Sequence, residues 1–336
     1  MIQVGVIGCG FMGGMHTACY KALETLGVKV TATADIRPDR AEKMAAMSGA
    51  RTYASGMELI EQADVDAVDI CLPTDLHAAH AIAAMRAGKN VFVEKPICLK
   101  EAEMEELRRV EKETGMKVQV GQVIRFWTEY AWLKETADSG VYGSLLSAAF
   151  KRVSARPTWA SDNWLSDFSR SGGVACDMHV HDTDYIRYLL GEPDRIQSQA
   201  YRDENGAIQQ IFTLFGYGKN VGVSVEACWD YPATFPFCAA YRVKFEKATV
   251  VFDGTALTVY PEEGEAFHPK LAEEFKGDNK IGGNISSLGG YYNELRYFVE
   301  WLRGEHTGTI ASVEESVRSI RLVQREIEAA GGLIAR

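Results

Sequence analysis

Long apolar runs are missing from this sequence. In 336 residues no uncharged apolar stretch reaches the about eighteen that a membrane span requires, so no membrane partner is expected. Positive charge is also scarce: lysine and arginine number 36 against 46 acids. The resulting net charge of −10 repels phosphate backbones and anionic lipid, which argues against nucleic acid as a partner. Cysteine pairing signals are absent too, since Cys9, Cys19, Cys71, Cys98, Cys176, Cys228 and Cys238 are odd in number and form no C-x-x-C pair. Buried free thiols in a reducing cytoplasm are expected, not a disulfide framework. The first ten residues read as a strand and carry no basic leader, so no secretory signal is expected. Repeats, low-complexity tracts and charge blocks are lacking, which excludes a solenoid or a charged tail. What is present is 46% hydrophobic, 10% aromatic and 24% charged, the balance of a soluble globular chain of about two domains.

Residues 1–121 alternate short β-branched runs with helical patterns. Strands are expected at Ile2–Ile7, Val28–Ala34, Ala67–Leu72, Val91–Val93 and Val118–Val120. Helices are expected near His16–Leu26, Asp39–Met47, Leu76–Ala87 and Glu101–Thr114, with Gly88 and Gly115 just past the last two. This alternation predicts an α/β fold built on a doubly wound parallel sheet. Residues 122–336 read differently. Helical patterns at Glu129–Ser139, Ala175–Leu190, Tyr291–Arg303 and Val313–Ala330 surround a strand-rich middle, with runs at Gln210–Phe215, Gly222–Trp229, Tyr241–Phe245 and Thr249–Phe252. Short turns at Tyr217–Asn220 and Asp253-Gly254 indicate antiparallel pairing, hence an α+β second domain on an open, largely antiparallel sheet. Pro261–Gly290 is polar and glycine-rich and reads as a surface excursion.

Gly8-Cys9-Gly10-Phe11-Met12-Gly13 follows the first strand and opens a helix. Gly8 permits the tight turn, Gly10 lets a pyrophosphate approach the backbone, and Gly13 lets helix and strand pack closely, with the helix N-terminus facing the phosphates. Asp35 ends the second strand 22 residues after Gly13, where a carboxylate accepts ribose hydroxyls and repels a 2′-phosphate. NAD is therefore expected over NADP. Arg37 could accommodate a 2′-phosphate but is read as a solvated loop charge. Ile36, beside Asp35, is counted with the cofactor-binding positions.

Glu94-Lys95-Pro96 closes a buried strand on the carboxyl edge of the sheet, where open α/β folds bind ligands. In the second domain, Ser171 to Asp184 opens a helix, and Asp177 and His181 stand at i and i+4 on one helical face. A carboxylate beside an imidazole fixes its tautomer and favours its charged form, as general acid/base work requires. Alternatively the histidine is merely tied to an aspartate. A metal site at His179 and His181 is disfavoured, because on a helix the two point about 200° apart.

Taken together these residues resemble the glucose–fructose oxidoreductase/inositol dehydrogenase (Gfo/Idh/MocA) family over nearly the whole chain. The resemblance rests on the glycine motif, Asp35, Pro73-Thr74 with His77, Glu94-Lys95-Pro96, and the stretch from Gly172-Gly173 to Asp184, in this order. It implies a Rossmann domain and a C-terminal domain whose open sheet often forms oligomer interfaces, here a homodimer or homotetramer. It also implies that Lys95, Asp177 and His181 match catalytic positions, and that Leu72, Pro73, Thr74, His77 and Glu94 belong with the cofactor. Gln122 and Arg125 match positions lining the nicotinamide–substrate cleft, and Trp164 one that often faces it. His179 departs from the small residue usual there and would bring a second imidazole toward the pocket.

The expected chemistry is hydride transfer between NAD and a secondary alcohol of a cyclic polyol, sugar or sugar derivative, with no metal. His181 would accept the hydroxyl proton and Lys95 would stabilise the developing alkoxide. Among Trp127, Trp159, Trp164, Tyr291 and Tyr292, Trp164 and Tyr291 are the preferred partners for a sugar ring, against a core or rim role for the others. Two alternatives remain: an NAD-dependent glycosidase acting by transient C3 oxidation and elimination, and a dinucleotide-binding sensor or repressor without turnover.

Overall fold

Apolar runs buried on both faces become the strands of the first sheet. In the computed structural model, which describes residues 1–158, 160–273, 275 and 288–331, the chain divides into two units. The first comprises Met1–Phe126 with Glu274–Arg318, the second Trp127–Glu273 with residues 319–335.

In the first unit, β1 (Ile2–Ile7), α1 (Phe11–Ala22), β2 (Val28–Ala34), α2 (Pro38–Ser48), β3 (Arg51–Tyr53), α3 (Gly56–Gln62), β4 (Ala67–Ile70), α4 (His77–Arg86), β5 (Asn90–Val93), α5 (Glu101–Thr114) and β6 (Val118–Val120) follow one another. The strands form one parallel sheet in the order β3-β2-β1-β4-β5-β6. The order reverses at β1, which lies between β2 and β4, and such a switch point opens a crevice at the strands' carboxyl ends. Short β3 and α3 escaped the sequence reading because Arg51 and Thr52 are exposed, leaving no apolar run. α1 begins five residues earlier than expected, at Phe11, directly on the glycine motif.

The second unit contains α6 (Thr128–Ser139), β7 (Leu145–Ala155), a short α7 (Phe168–Ser171), α8 (Val180–Leu190), and β8 (Arg195–Arg202), β9 (Ile208–Tyr217), β10 (Val221–Tyr231), β11 (Cys238–Phe245), β12 (Ala248–Phe252) and β13 (Leu257–Pro261). Its sheet runs β13-β12-β11-β7-β10-β9-β8, antiparallel except for the parallel β10–β7 pair. Along β9, Ile211, Thr213 and Phe215 are buried while Phe212 and Leu214 stay exposed, so one sheet face is covered and the other is open.

One expectation is corrected here. The sequence reading assigned everything after residue 121 to the second domain, but α9 (Gly289–Leu302) packs in the first unit. Phe298 meets Phe92 of β5 at 5.6 Å between ring centroids, and Gln119 of β6 donates to the Glu294 carbonyl at 2.9 Å. The last helix, α10 (Val313–Ala329), starts within the first unit's residues and ends within the second's. Amphipathic periodicity locates such helices but not the core that receives them.

Candidate active site

The glycine motif builds a cradle by exclusion. A Cβ on Gly8, whose φ is +93°, would lie 2.4 Å from the Cys71 carbonyl oxygen, and one on Gly13 would lie 2.0 Å from that of Gly8. At Gly10 a Cβ would meet nothing within 4 Å. Gly8 and Gly13 therefore close the strand–helix corner, and Gly10 leaves open space before the α1 amides, as a pyrophosphate requires. Asp35 stands at the mouth: its Oδ2 accepts from the Cys9 amide and its Oδ1 from the Arg37 amide, both at 2.8 Å. The Arg37 guanidinium is turned to Asp39 at 3.1 Å and is half exposed, in keeping with a solvated loop charge. Ile36 is 82% exposed beside them. Phe11 and Met12, in the first turn of α1, are half-buried, as are Leu72 and Pro73 after β4. The Thr74 hydroxyl is buried without a hydrogen-bond partner. These residues fit a dinucleotide.

His77 opens α4. It is buried, and its Nδ1 and Nε2 lie 2.8 and 2.7 Å from the carbonyl oxygens of Pro96 and Leu72. It thus ties the two loops after β4 and β5 together. Burial lowers its pKa despite those carbonyls. Glu94 is likewise buried; its Oε2 accepts from the Lys95 amide at 3.2 Å and its Oε1 lies 3.2 Å from Nε2 of His16. Lys95 follows β5 on the carboxyl edge of the sheet.

In the second unit the helix carrying Asp177 and His181 does not open as α-helix. Ala175–His179 is a π turn that runs into α8, and both side chains are half-buried. The i, i+4 spacing assumed a regular α-helix; a π turn widens it and is a frequent mark of functional sites.

The structure places several of the residues expected at the site in the interior. His179 is fully buried, with its Nε2 2.6 Å from Glu326 Oε2, while Thr183 donates to Glu326 Oε1 at 2.8 Å. The small residue expected there is replaced by a core imidazole, not by a second pocket group. Tyr291 is 8% exposed and sits 6.1 Å from the His16 ring in the first unit's interior, so it is a core aromatic. Arg125 is buried and donates to the Ile310 carbonyl, with Glu315 at 3.9 Å. Gln122, also buried, lies 3.4 Å from the Ser316 hydroxyl. Trp164 is half-buried in an irregular turn in which Asp162 and Asn163 hold positive φ of 53° and 52°. Trp127 packs edge-on to Tyr130 with Arg152 over its ring, and Tyr292 stacks on Phe275 at 4.4 Å. Trp159 lies outside the described residues.

Sequence reasoning missed a buried cluster in the first unit formed by His16, Asp69, Glu94 and Glu294. One signal was visible: Asp69 interrupts the apolar run Ala67-Val68-Asp69-Ile70, and a carboxylate in a fully buried strand demands a partner.

A Rossmann sheet with a glycine cradle and a strand-end acid, followed by a mostly antiparallel second sheet, defines a dinucleotide-binding class of fold. Residues 2–122 match the "Oxidoreductase family, NAD-binding Rossmann fold" and residues 130–253 the "GFO/IDH/MocA C-terminal domain". The chain belongs to the Gfo/Idh/MocA family. It is 35% identical to inositol 2-dehydrogenase 2 of Saccharopolyspora erythraea, over 66% of this chain and 69% of that one. It is 28% identical to scyllo-inositol 2-dehydrogenase (NAD(+)) of Bacillus subtilis, over 94% and 90%. The alignments to some other curated inositol dehydrogenases span only about half of their length. Among solved structures, a levoglucosan dehydrogenase in complex with NADH and levoglucosan shares the fold, with a TM-score of 0.84 at 21% identity over 98% and 97% of the two chains.

Proposed function

We propose that this protein transfers hydride between NAD and a secondary alcohol of a cyclic polyol, sugar or sugar derivative, with inositols the first candidates. The observation that carries this reading is the cradle at Gly8, Gly10 and Gly13 facing Asp35, joined in one chain to Lys95 on the sheet's carboxyl edge and to the Asp177–His181 helix. The names of the inositol dehydrogenase relatives support the substrate class. Bound NAD supplies the hydride acceptor. His181 takes the hydroxyl proton as the carbon loses its hydride, and Asp177 orients the imidazole. Lys95 stabilises the negative charge that develops on the oxygen. Gly10 and the α1 amides would hold the pyrophosphate, and Asp35 would receive the ribose hydroxyls. A panel of cyclitols, aldoses and glycosides with purified protein tests the reading through NADH absorbance. Turnover with NAD and an inositol is expected; turnover of glycosides with no net NADH would replace it with the elimination chemistry.

Asp35 also favours NAD over NADP. Calorimetric titration should show tighter NAD binding, narrowed in Asp35→Ala; tighter NADP binding would reverse the assignment and promote Arg37. The open face of the second sheet, with Phe212, Leu214 and Tyr260 each 45–50% exposed, supports a homodimer or homotetramer, which sedimentation measures. None of the seven cysteines forms a disulfide, which supports a reducing, cytoplasmic setting.

A further inference from the structure

We propose that His16 is a positioning residue for Lys95, acting through Glu94 in a sealed cluster that Glu294 completes as a neutral acid. The inference rests on the reading of Lys95 given above. His16 is fully buried on α1, with Nδ1 2.9 and 3.1 Å from the two oxygens of Asp69 and Nε2 3.2 Å from Glu94 Oε1. The Nδ1 edge donates to Asp69, and at Nε2 the Glu94 oxygen lies at ion-pair distance without a hydrogen bond, so a carboxylate charge faces each side of the ring and favours the imidazolium. Glu294, on α9, is fully buried and both of its carboxylate oxygens lack a hydrogen-bond partner. An oxygen of Glu294, an oxygen of Glu94 and a ring nitrogen of His16 all lie within 4.8 Å of one another.

Charge balance then assigns the protons. Three carboxyls and one imidazole share the interior; fully ionised they would seal two net negative charges away from water, which a low-dielectric core does not tolerate. Burial, with Glu94 adding repulsion, holds Glu294 well above the carboxylate range. Burial opposes the charge on His16, but the Asp69 carboxylate, with Cys71 beside it, raises the ring well above its ordinary value. Burial likewise opposes the Glu94 carboxylate, yet His16 keeps it below its ordinary value, with Lys95 and His77 assisting. Of the other titratable groups facing the cluster, the Cys71 thiol lies 3.3 Å from both His16 and Asp69, and burial keeps it, Cys19 and Tyr20 neutral.

The consequence is a clamp. With Oε1 facing His16 and Oε2 on the Lys95 amide, Glu94 fixes the peptide from which the Lys95 side chain leaves. Gly121 makes room for it: a Cβ there would lie 3.2 Å from the carboxylate. On the other side His77 holds the Pro96 carbonyl. A lysine that meets developing charge needs this placement during reaction more than during cofactor binding.

The test compares His16→Gln, Lys95→Met and Glu294→Gln in the full chain. His16→Gln should lower kcat about tenfold or more, leave NAD affinity within about twofold, and shift the alkaline limb of the kcat–pH profile. Wild-type kcat and an unchanged profile in His16→Gln, with Lys95→Met inactive, would overturn the proposal and leave the functional reading standing. Full activity in Lys95→Met would overturn both. Glu294→Gln decides the proton assignment even if His16→Gln does not fold. A neutral Glu294 predicts a melting temperature at or above that of wild type at pH 7 and a flatter decline toward pH 10. Strong destabilisation at pH 7, or stoichiometric divalent metal in dialysed wild-type protein that is lost in Glu294→Gln, would overturn it.

Discussion

The two units each bury a cluster of charged side chains, and the clusters are balanced differently. In the second unit each carboxylate has a donor opposite it, and the His179 Nδ1 alone of this cluster lacks a hydrogen-bond partner. Arg152 of β7 is bidentate to Asp182 at 2.7 and 3.2 Å, His179 and Thr183 share the two oxygens of Glu326, and Ser319 links Asp184 to Arg187 at 2.6 and 3.1 Å. In the first unit three carboxyls surround one imidazole, and Glu294 keeps two oxygens without hydrogen bonds. Removing a partner from a matched cluster strands a buried charge, whereas an acid-rich cluster must hold protons and therefore responds to pH.

The sharpest way to break this comparison is to remove one partner from the matched cluster. Arg152→Met strands the Asp182 carboxylate in the core and should cost about 3–5 kcal/mol, read from urea unfolding; a loss under 1 kcal/mol would show that the ion pair holds little.

Next in size is a test of whether each unit supplies one half of the chemistry. Lys95→Met from the first and His181→Ala from the second should each lower kcat about a hundredfold or more, with NAD affinity nearly unchanged. Asp177→Asn should cost less, since it keeps the imidazole and removes only the orienting charge. Single-turnover hydride transfer at the wild-type rate in His181→Ala would make that histidine structural.

A smaller effect sharpens the contrast in pH response. Folded-state protonation of His16 and Glu294 is raised above the unfolded values, so the stability they confer is complete below the unfolded pKa of each and is lost as pH rises through the folded one. Stability should fall by roughly 1 kcal/mol per pH unit for each retained proton above about pH 7. Equilibrium unfolding from pH 7 to 10 should show this slope, diminished in Glu294→Gln and retained in Thr183→Val of the matched cluster.

The smallest expected effect is at Cys9. Burial, with Asp35 adding repulsion, pushes its thiol up to about 12, and its Sγ faces the Ala34 carbonyl at 3.5 Å. Cys9→Ala should keep full activity and insensitivity to mild oxidants; abolished turnover with intact NAD affinity would give the thiol a role in the reaction.

The sequence by itself determined the parallel sheet, the glycine cradle and Asp35, because strand periodicity, glycine sterics and a strand-end acid are local properties that need no knowledge of what packs above them. It also marked Lys95, Asp177 and His181 as candidates by their place on elements. β7 was not legible, since inward-facing Arg152 breaks its apolar alternation and is understood only once Asp182 is opposite. The assignment of α9 to the first unit, the π turn at Ala175–His179, and the interior places of His179, Tyr291 and Arg125 were decided by tertiary structure alone. Each depends on a partner distant in sequence: 147 residues separate His179 from Glu326, and 185 separate Arg125 from Ile310. The same holds for the first unit's cluster, where β4, α1 and α9 bring Asp69, His16 and Glu294 together. A side chain's charge state there is set by neighbours that only folding supplies.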